Sequence, residues 1–111
     1  RTAVNYINNN FERDIALKDI ARYVFLSPSY FARAFKEETG VSPINYLLKV
    51  RIERAKEMLA DTDQKVSDIA LGIGFSNQQR FNAIFKKYTR MTPTQYRRQM
   101  QAKDYRDVHG V

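Results

Sequence analysis

The stretch DIALGIGFSNQQRFNAIFKKYTRMTPTQY, Asp68 to Tyr96, decides the fold, because the chain carries it twice. The earlier copy is DIARYVFLSPSYFARAFKEETGVSPINY, Asp19 to Tyr46. Asp19-Ile20-Ala21 recurs as Asp68-Ile69-Ala70, 49 positions on. Phe31, Phe35-Lys36, Thr39, Pro43 and Tyr46 recur 50 positions on, as Phe81, Phe85-Lys86, Thr89, Pro93 and Tyr96. The change of offset requires one inserted residue between Ala70 and Asn77, and the turn around Gly72 and Gly74 is where an insertion is expected. A repeat of this length is one supersecondary unit used twice.

Both copies read as helix, short turn, helix. In the first, Leu17, Ile20, Ala21 and Val24 share one helical face. Ala16 stands where a capping Ser or Thr is expected, so this helix start should be weaker by roughly 1 kcal/mol. Only Phe25 and Leu26 separate Val24 from Ser27-Pro28, a cap followed by proline at the first helical position. The next helix carries Phe31 and Phe35 inward, runs to about Thr39 and stops at Gly40. Helices joined by so few residues cross steeply, which is a helix-turn-helix. The second copy predicts helices over 66–73 and 77–89. Tyr46 and Tyr96 read as packing residues.

The rest follows outward. Val4, Ile7 and Phe11 mark a helix ahead of the first copy, fraying at Asn8, Asn9 and Asn10. From Ser42-Pro43 to Ala60 there is no Gly or Pro, and Leu48, Ile52, Ala55 and Leu59 keep helical spacing; such a helix is about 25 Å long. Thr92-Pro93 opens a last helix. Residues 101–111 lose periodicity and read as a loose tail. The fold class is all-α, about seven helices, with a first helix-turn-helix subdomain over 1–42, a linker helix over 43–60, a second subdomain over 61–101 and a tail over 102–111.

Composition narrows the function. The chain has 111 residues, is 43% hydrophobic, carries a net charge of +7 and contains no cysteine. It is long enough for a modest core and offers no disulfide framework or thiolate site, which fits a cytoplasmic protein. No apolar run approaches the ~20 residues of a membrane span. It opens on Arg1 with no signal-peptide pattern, and a segment upstream is expected. Residues 1–68 are nearly balanced in charge, whereas 69–111 hold 8 Lys/Arg against 2 Asp/Glu. Arg80, Lys86, Lys87, Arg90, Arg97, Arg98 and Lys103 fall in a run without an acidic residue, and such a one-signed stretch suits a polyanion. Enzymes are disfavoured. The one histidine, His109, lies in the tail, no metal cluster or nucleophile–base pair is built, and no glycine-rich phosphate loop or other cofactor motif occurs. A membrane-surface helix would need an exposed apolar stripe. The remaining rival is a helical protein-interaction module, which has no need of the polar faces described next.

With Phe31 and Phe35 inward, the outer face of the first recognition helix carries Ser29, Ala32, Arg33 and Lys36. With Phe81 and Phe85 inward, the second carries Gln79, Asn82, Ala83 and Lys86, with Gln78 at its start. Arg pairs with guanine, and Gln or Asn with adenine, through two hydrogen bonds in the major groove. The N-terminal part of the second helix of a helix-turn-helix is what enters that groove. Lys36 and Lys86, one turn later, reach phosphate, as do the helix N-termini around Ser27 and Asn77 and the neighbouring Arg80 and Lys87.

On DIA, SPSYFARAFKEETGVSPINY, RIERAKEMLA and VSDIALGIGFSNQQRFNAIFKKYTRMTPTQYR, the chain resembles the DNA-binding domain of the AraC/XylS family of bacterial transcription regulators, from Leu17 to Arg97. The resemblance implies two helix-turn-helix units joined by a long helix, with both recognition helices in successive major-groove segments of an asymmetric operator in double-stranded DNA. It implies activation through RNA polymerase, and an upstream effector-binding or receiver domain. It puts Ser29, Ala32 and Arg33 on the first reading positions and Gln78, Gln79 and Asn82 on the second. Ala83 departs from the Arg found in many relatives, so the second helix reads fewer bases.

Overall fold

The computed structural model describes residues 2–110, and within them every side chain but those of 108 and 109. Seven helices occur among the described residues: α1 (Ala3–Asn10), α2 (Leu17–Tyr23), α3 (Pro28–Thr39), α4 (Pro43–Asp61), α5 (Val66–Gly72), α6 (Gln78–Thr89) and α7 (Pro93–His109). No strand is present among them. The chain divides into two compact units, Arg1–Arg51 and Ile52–Val111. The division falls inside α4, so this helix closes one unit and opens the next.

Each unit has its own core. In the first, Ile7, Ile15, Ile20, Ala21, Phe31, Phe35 and Leu47 are buried, with Val4, Phe11, Leu17, Val24 and Tyr46 packed on them. In the second, Ile52, Ala55, Leu59, Ile69, Ala70, Ile73, Phe75, Phe81 and Phe85 are buried. The repeat extends to ring geometry. Phe31 and Phe35 lie 5.6 Å apart at 61°, and Phe35 meets Tyr46 at 5.8 Å and 71°. Phe81 and Phe85 lie 5.6 Å apart at 59°, and Phe85 meets Tyr96 at 5.5 Å and 76°. These are the tilted and edge-to-face contacts that aromatic quadrupoles favour, and they place both tyrosines in packing roles.

Local chemistry starts and stops the helices as the sequence reading requires. Ser27 Oγ accepts from the Tyr30 amide at 3.3 Å, Asn77 Oδ1 from Arg80 at 2.8 Å, and Thr92 Oγ1 from Gln95 at 3.1 Å. Ala16 has no acceptor to offer, but the Asp19 carboxylate accepts from the Ala16 amide at 2.8 Å. This is half of a capping box, and it makes good part of the missing cap. Thr39 and Thr89 clasp the ends of α3 and α6: each hydroxyl donates to the carbonyl four residues back, Phe35 or Phe85, at 2.8 and 2.9 Å.

Two expectations are corrected. The inserted residue is Ser76, beyond the Gly72–Gly74 turn. The turn bonds Phe25 N–H to Arg22 and Leu26 N–H to Ala21 recur 49 positions on, as Gly74 to Leu71 and Phe75 to Ala70; the offset of 50 starts with Phe81 N–H to Asn77, matching Phe31 to Ser27. The turn is thus kept whole, and the extra residue is taken up in the extended segment before the cap. The expected loose tail is helical: α7 continues to His109. Residues 101–107 are exposed, so nothing imposes apolar periodicity there. Helix-forming side chains and the absence of Gly or Pro before Gly110, which stops the helix at φ 72°, suffice. The His109 side chain and Val111 lie outside the described residues.

The turn itself differs between units. Its left-handed position is filled by Gly74 at φ 104° in the second unit and by Phe25 at φ 62° in the first. A bulky residue in this region is strained by roughly 1–2 kcal/mol, and Phe25 recovers nothing by packing, being 84% exposed. Phe25→Gly is expected to raise the stability of the first unit by about 1 kcal/mol, the strain relief exceeding the entropy a glycine loses. Urea denaturation checks this; a lower midpoint would mean the turn is not strained.

Candidate nucleic-acid interface

The burial of Phe31 and Phe35 fixes which side of α3 faces out. Ser27, Ser29, Tyr30, Arg33 and Lys36 are exposed, and Ala32 is half-buried. On α6, Asn77, Gln78, Gln79, Arg80, Lys86 and Lys87 are exposed, and Asn82 is half-buried. Within each unit the residues expected to read bases therefore lie together on the outer side of the first two turns of one helix. The cap residues keep a free hand: Ser27 and Asn77 use only their oxygens as acceptors, so the Ser27 hydroxyl proton and the Asn77 amide group remain available as donors.

Asn82 is less free than its spacing implies. Its Oδ1 is buried and has no hydrogen-bond partner among the described residues. A paired contact to adenine needs both ends of the amide, so in this rotamer Asn82 offers a donor alone. Gln78 and Gln79 are exposed.

The basic run is also less uniform than its sequence. Arg97 is tied down: its Nε donates to the Leu59 carbonyl at 3.0 Å and its Nη2 to Thr62 at 3.1 Å. Arg51 does the same in the first unit, donating from Nε to Phe11 at 2.8 Å and from Nη2 to Arg13 at 2.9 Å. Both satisfy carbonyls at the end of the helix that opens their unit. Neither is a candidate for phosphate. Lys86 and Lys87 lie in the last turn of α6, where they also complement the helix dipole.

Arg90 enters the sequence reading only as one cation of the basic run. It ends α6 in the left-handed region at φ 66°, where the first unit uses Gly40 at φ 86°. A glycine is the unstrained choice there, and the repeat spells it out at Gly40. Arg90 instead adds an exposed cation one turn beyond Lys86. The signal was the mismatch between the two copies.

Among the described residues no cluster of His, Cys, Asp or Glu is placed to hold a metal. No helix among them is long and apolar enough to cross a membrane.

Comparison with known proteins decides the family. Residues 20–99 match the family described as Helix-turn-helix domain. The fold superimposes on the C-terminal domain of AraT, a response regulator from Geobacillus stearothermophilus, with a TM-score of 0.85 and 38% identity, covering 87% of this chain and 81% of that one. It also superimposes on a transcriptional regulator from Chromobacterium violaceum, described as of the AraC-type DNA-binding domain-containing proteins, with a TM-score of 0.81 and 33% identity, covering 88% of each chain. The chain belongs to the AraC-type helix-turn-helix family. An uncharacterised HTH-type transcriptional regulator of Staphylococcus aureus is 41% identical over 93 residues, 84% of this chain but 12% of the relative. The chain thus corresponds to a small part of the curated relatives it matches, and that part is an all-helical domain with two helix-turn-helix units.

Proposed function

We propose that this AraC-type domain binds duplex DNA sequence-specifically on behalf of a bacterial transcription regulator, with the N-terminal turns of α3 and α6 as its two reading surfaces. In this reading Ser29, Ala32 and Arg33 meet base edges from α3, and Gln78, Gln79 and, as donor only, Asn82 meet them from α6. Ser27, Lys36, Asn77, Arg80, Lys86 and Lys87 meet phosphates and set register without reading sequence. The observation that carries the proposal is the twin arrangement: behind each helix-turn-helix, the phenylalanines that build the core leave hydrogen-bonding side chains outward on the first two turns of the second helix. The reading requires the two helices to enter successive major-groove segments, about 34 Å apart on one face of the duplex.

Activation through RNA polymerase, control by an upstream effector-binding or receiver domain, and work in the cytoplasm complete the proposal. The further domain is supported by the short span of this chain against its curated relatives, which leaves room for a sensing segment. A mobility-shift assay with a randomised duplex library at two salt concentrations tests the core of it. The expected result is recovery of one asymmetric sequence, with affinity falling steeply as salt rises. Retention of the library without enrichment, or no retention, would favour a protein-interaction module instead.

A further inference from the structure

We propose that Tyr30 is a positioning residue for Arg33: its ring holds the guanidinium by the face, so that the edge of the fork stays presented to a guanine. This rests on the reading of α3 as a recognition helix. The Arg33 Cζ lies 5.9 Å from the centre of the Tyr30 ring, within cation–π range. Tyr30 has no share in the core that explains it otherwise. Tyr30 is 53% exposed as a residue, whereas the core residues Phe31 and Phe35 are 3% and 6% exposed. Its backbone is pinned, because its amide donates to the cap oxygen of Ser27 at 3.3 Å. Glu37, one turn beyond Arg33, does not take the guanidinium. The ion pairs among the described residues join Arg54 to Glu57 and Lys56 to Glu53.

The two copies of the repeat make the same point. Arg80 stands where the first copy has Tyr30, and Ala83 where it has Arg33. The ring and the cation are both present in one unit and both absent from the other.

The chemistry is complementary. A guanidinium stacks through its flat face and donates hydrogen bonds in its plane. Stacking on a ring therefore leaves the two-pronged edge that matches guanine O6 and N7 unobstructed. It also removes part of the rotamer freedom that a long arginine side chain would otherwise lose on binding.

Enrichment of a randomised duplex library by the wild-type chain and by Arg33→Ala, Tyr30→Ala and Tyr30→Phe tests this. Arg33→Ala should abolish the base preference at one operator position. Tyr30→Ala should weaken the preference at that same position about two- to five-fold and leave the other positions unchanged. Tyr30→Phe, which keeps the ring, should restore it. In the free protein, the Arg33 side-chain proton resonances should be shifted by the ring current in wild type and Tyr30→Phe and revert in Tyr30→Ala. If Arg33→Ala erases one position and Tyr30→Ala does not touch it, the positioning role is overturned and the reading of α3 stands. Uniform weakening by Tyr30→Ala overturns the role equally, marking a phosphate or structural contact. If Arg33→Ala itself weakens all sites alike, Arg33 does not read a base and both fall.

Discussion

Replacing Arg51 by methionine should destabilise the first unit by about 3 kcal/mol. The side chain is 8% exposed and donates to two backbone carbonyls, Phe11 at 2.8 Å and Arg13 at 2.9 Å. Hydrogen bonds from a charged donor contribute about 1.5–3 kcal/mol each, and the carbonyls left behind retain part of their desolvation penalty. Methionine preserves the apolar stem, so the loss reports the head group. Arg51→Lys should recover little, because one ammonium cannot span two carbonyls held by a planar fork. Arg97→Met should act on the second unit in the same way. Urea unfolding monitored by circular dichroism reads both, and a loss under 1 kcal/mol for Arg51→Met would show that water satisfies those carbonyls as well as the arginine does.

The second large effect concerns salt. Each phosphate neutralised by the protein contributes about 0.9 to the slope of log affinity against log salt. Lys86→Gln with Lys87→Gln should therefore flatten that slope by about two, with little change in which sequence is preferred. Arg90→Gly should flatten it by a further one, while its stability rises as the left-handed backbone is relieved. Lys49→Gln and Lys56→Gln on α4 serve as controls and should leave the slope alone. The measurement is duplex binding across a salt series. An unchanged slope after Lys86 and Lys87 are neutralised would place the phosphate grip elsewhere.

Much of this was legible in the sequence, for reasons that can be named residue by residue. Ser27-Pro28, Ser42-Pro43 and Thr92-Pro93 open helices because cap and proline act on their own backbone neighbourhood. Gly40 stops α3 because only its own φ is at issue. Phe31, Phe35, Phe81 and Phe85 are core because helical spacing puts each pair on one face. The outer polar faces follow by subtraction. That logic does not reach other features. Lost apolar periodicity suggests a loose tail, but periodicity reports burial, and every residue of α7 over 101–107 is exposed. Gly72 and Gly74 suggest their turn as the place of the insertion, but the turn keeps the same hydrogen bonds at Phe25 and Gly74.

Residue order alone specifies the repeat, the seven helices, the Ser27, Ser42 and Thr92 caps and the buried faces of α1, α2, α3, α4 and α6, since each depends on residues within a few positions of one another. Packing between distant parts of each unit settles that Arg51 and Arg97 bind carbonyls 35 to 40 positions away and are not free charges, and that Asn82 buries its oxygen; the Tyr30–Arg33 pair, three residues apart on α3, needs helix geometry alone. The reason is physical: a backbone preference is written in a residue and its neighbours, whereas the partner of a long polar side chain is chosen by whatever packing brings within about 3 Å of it.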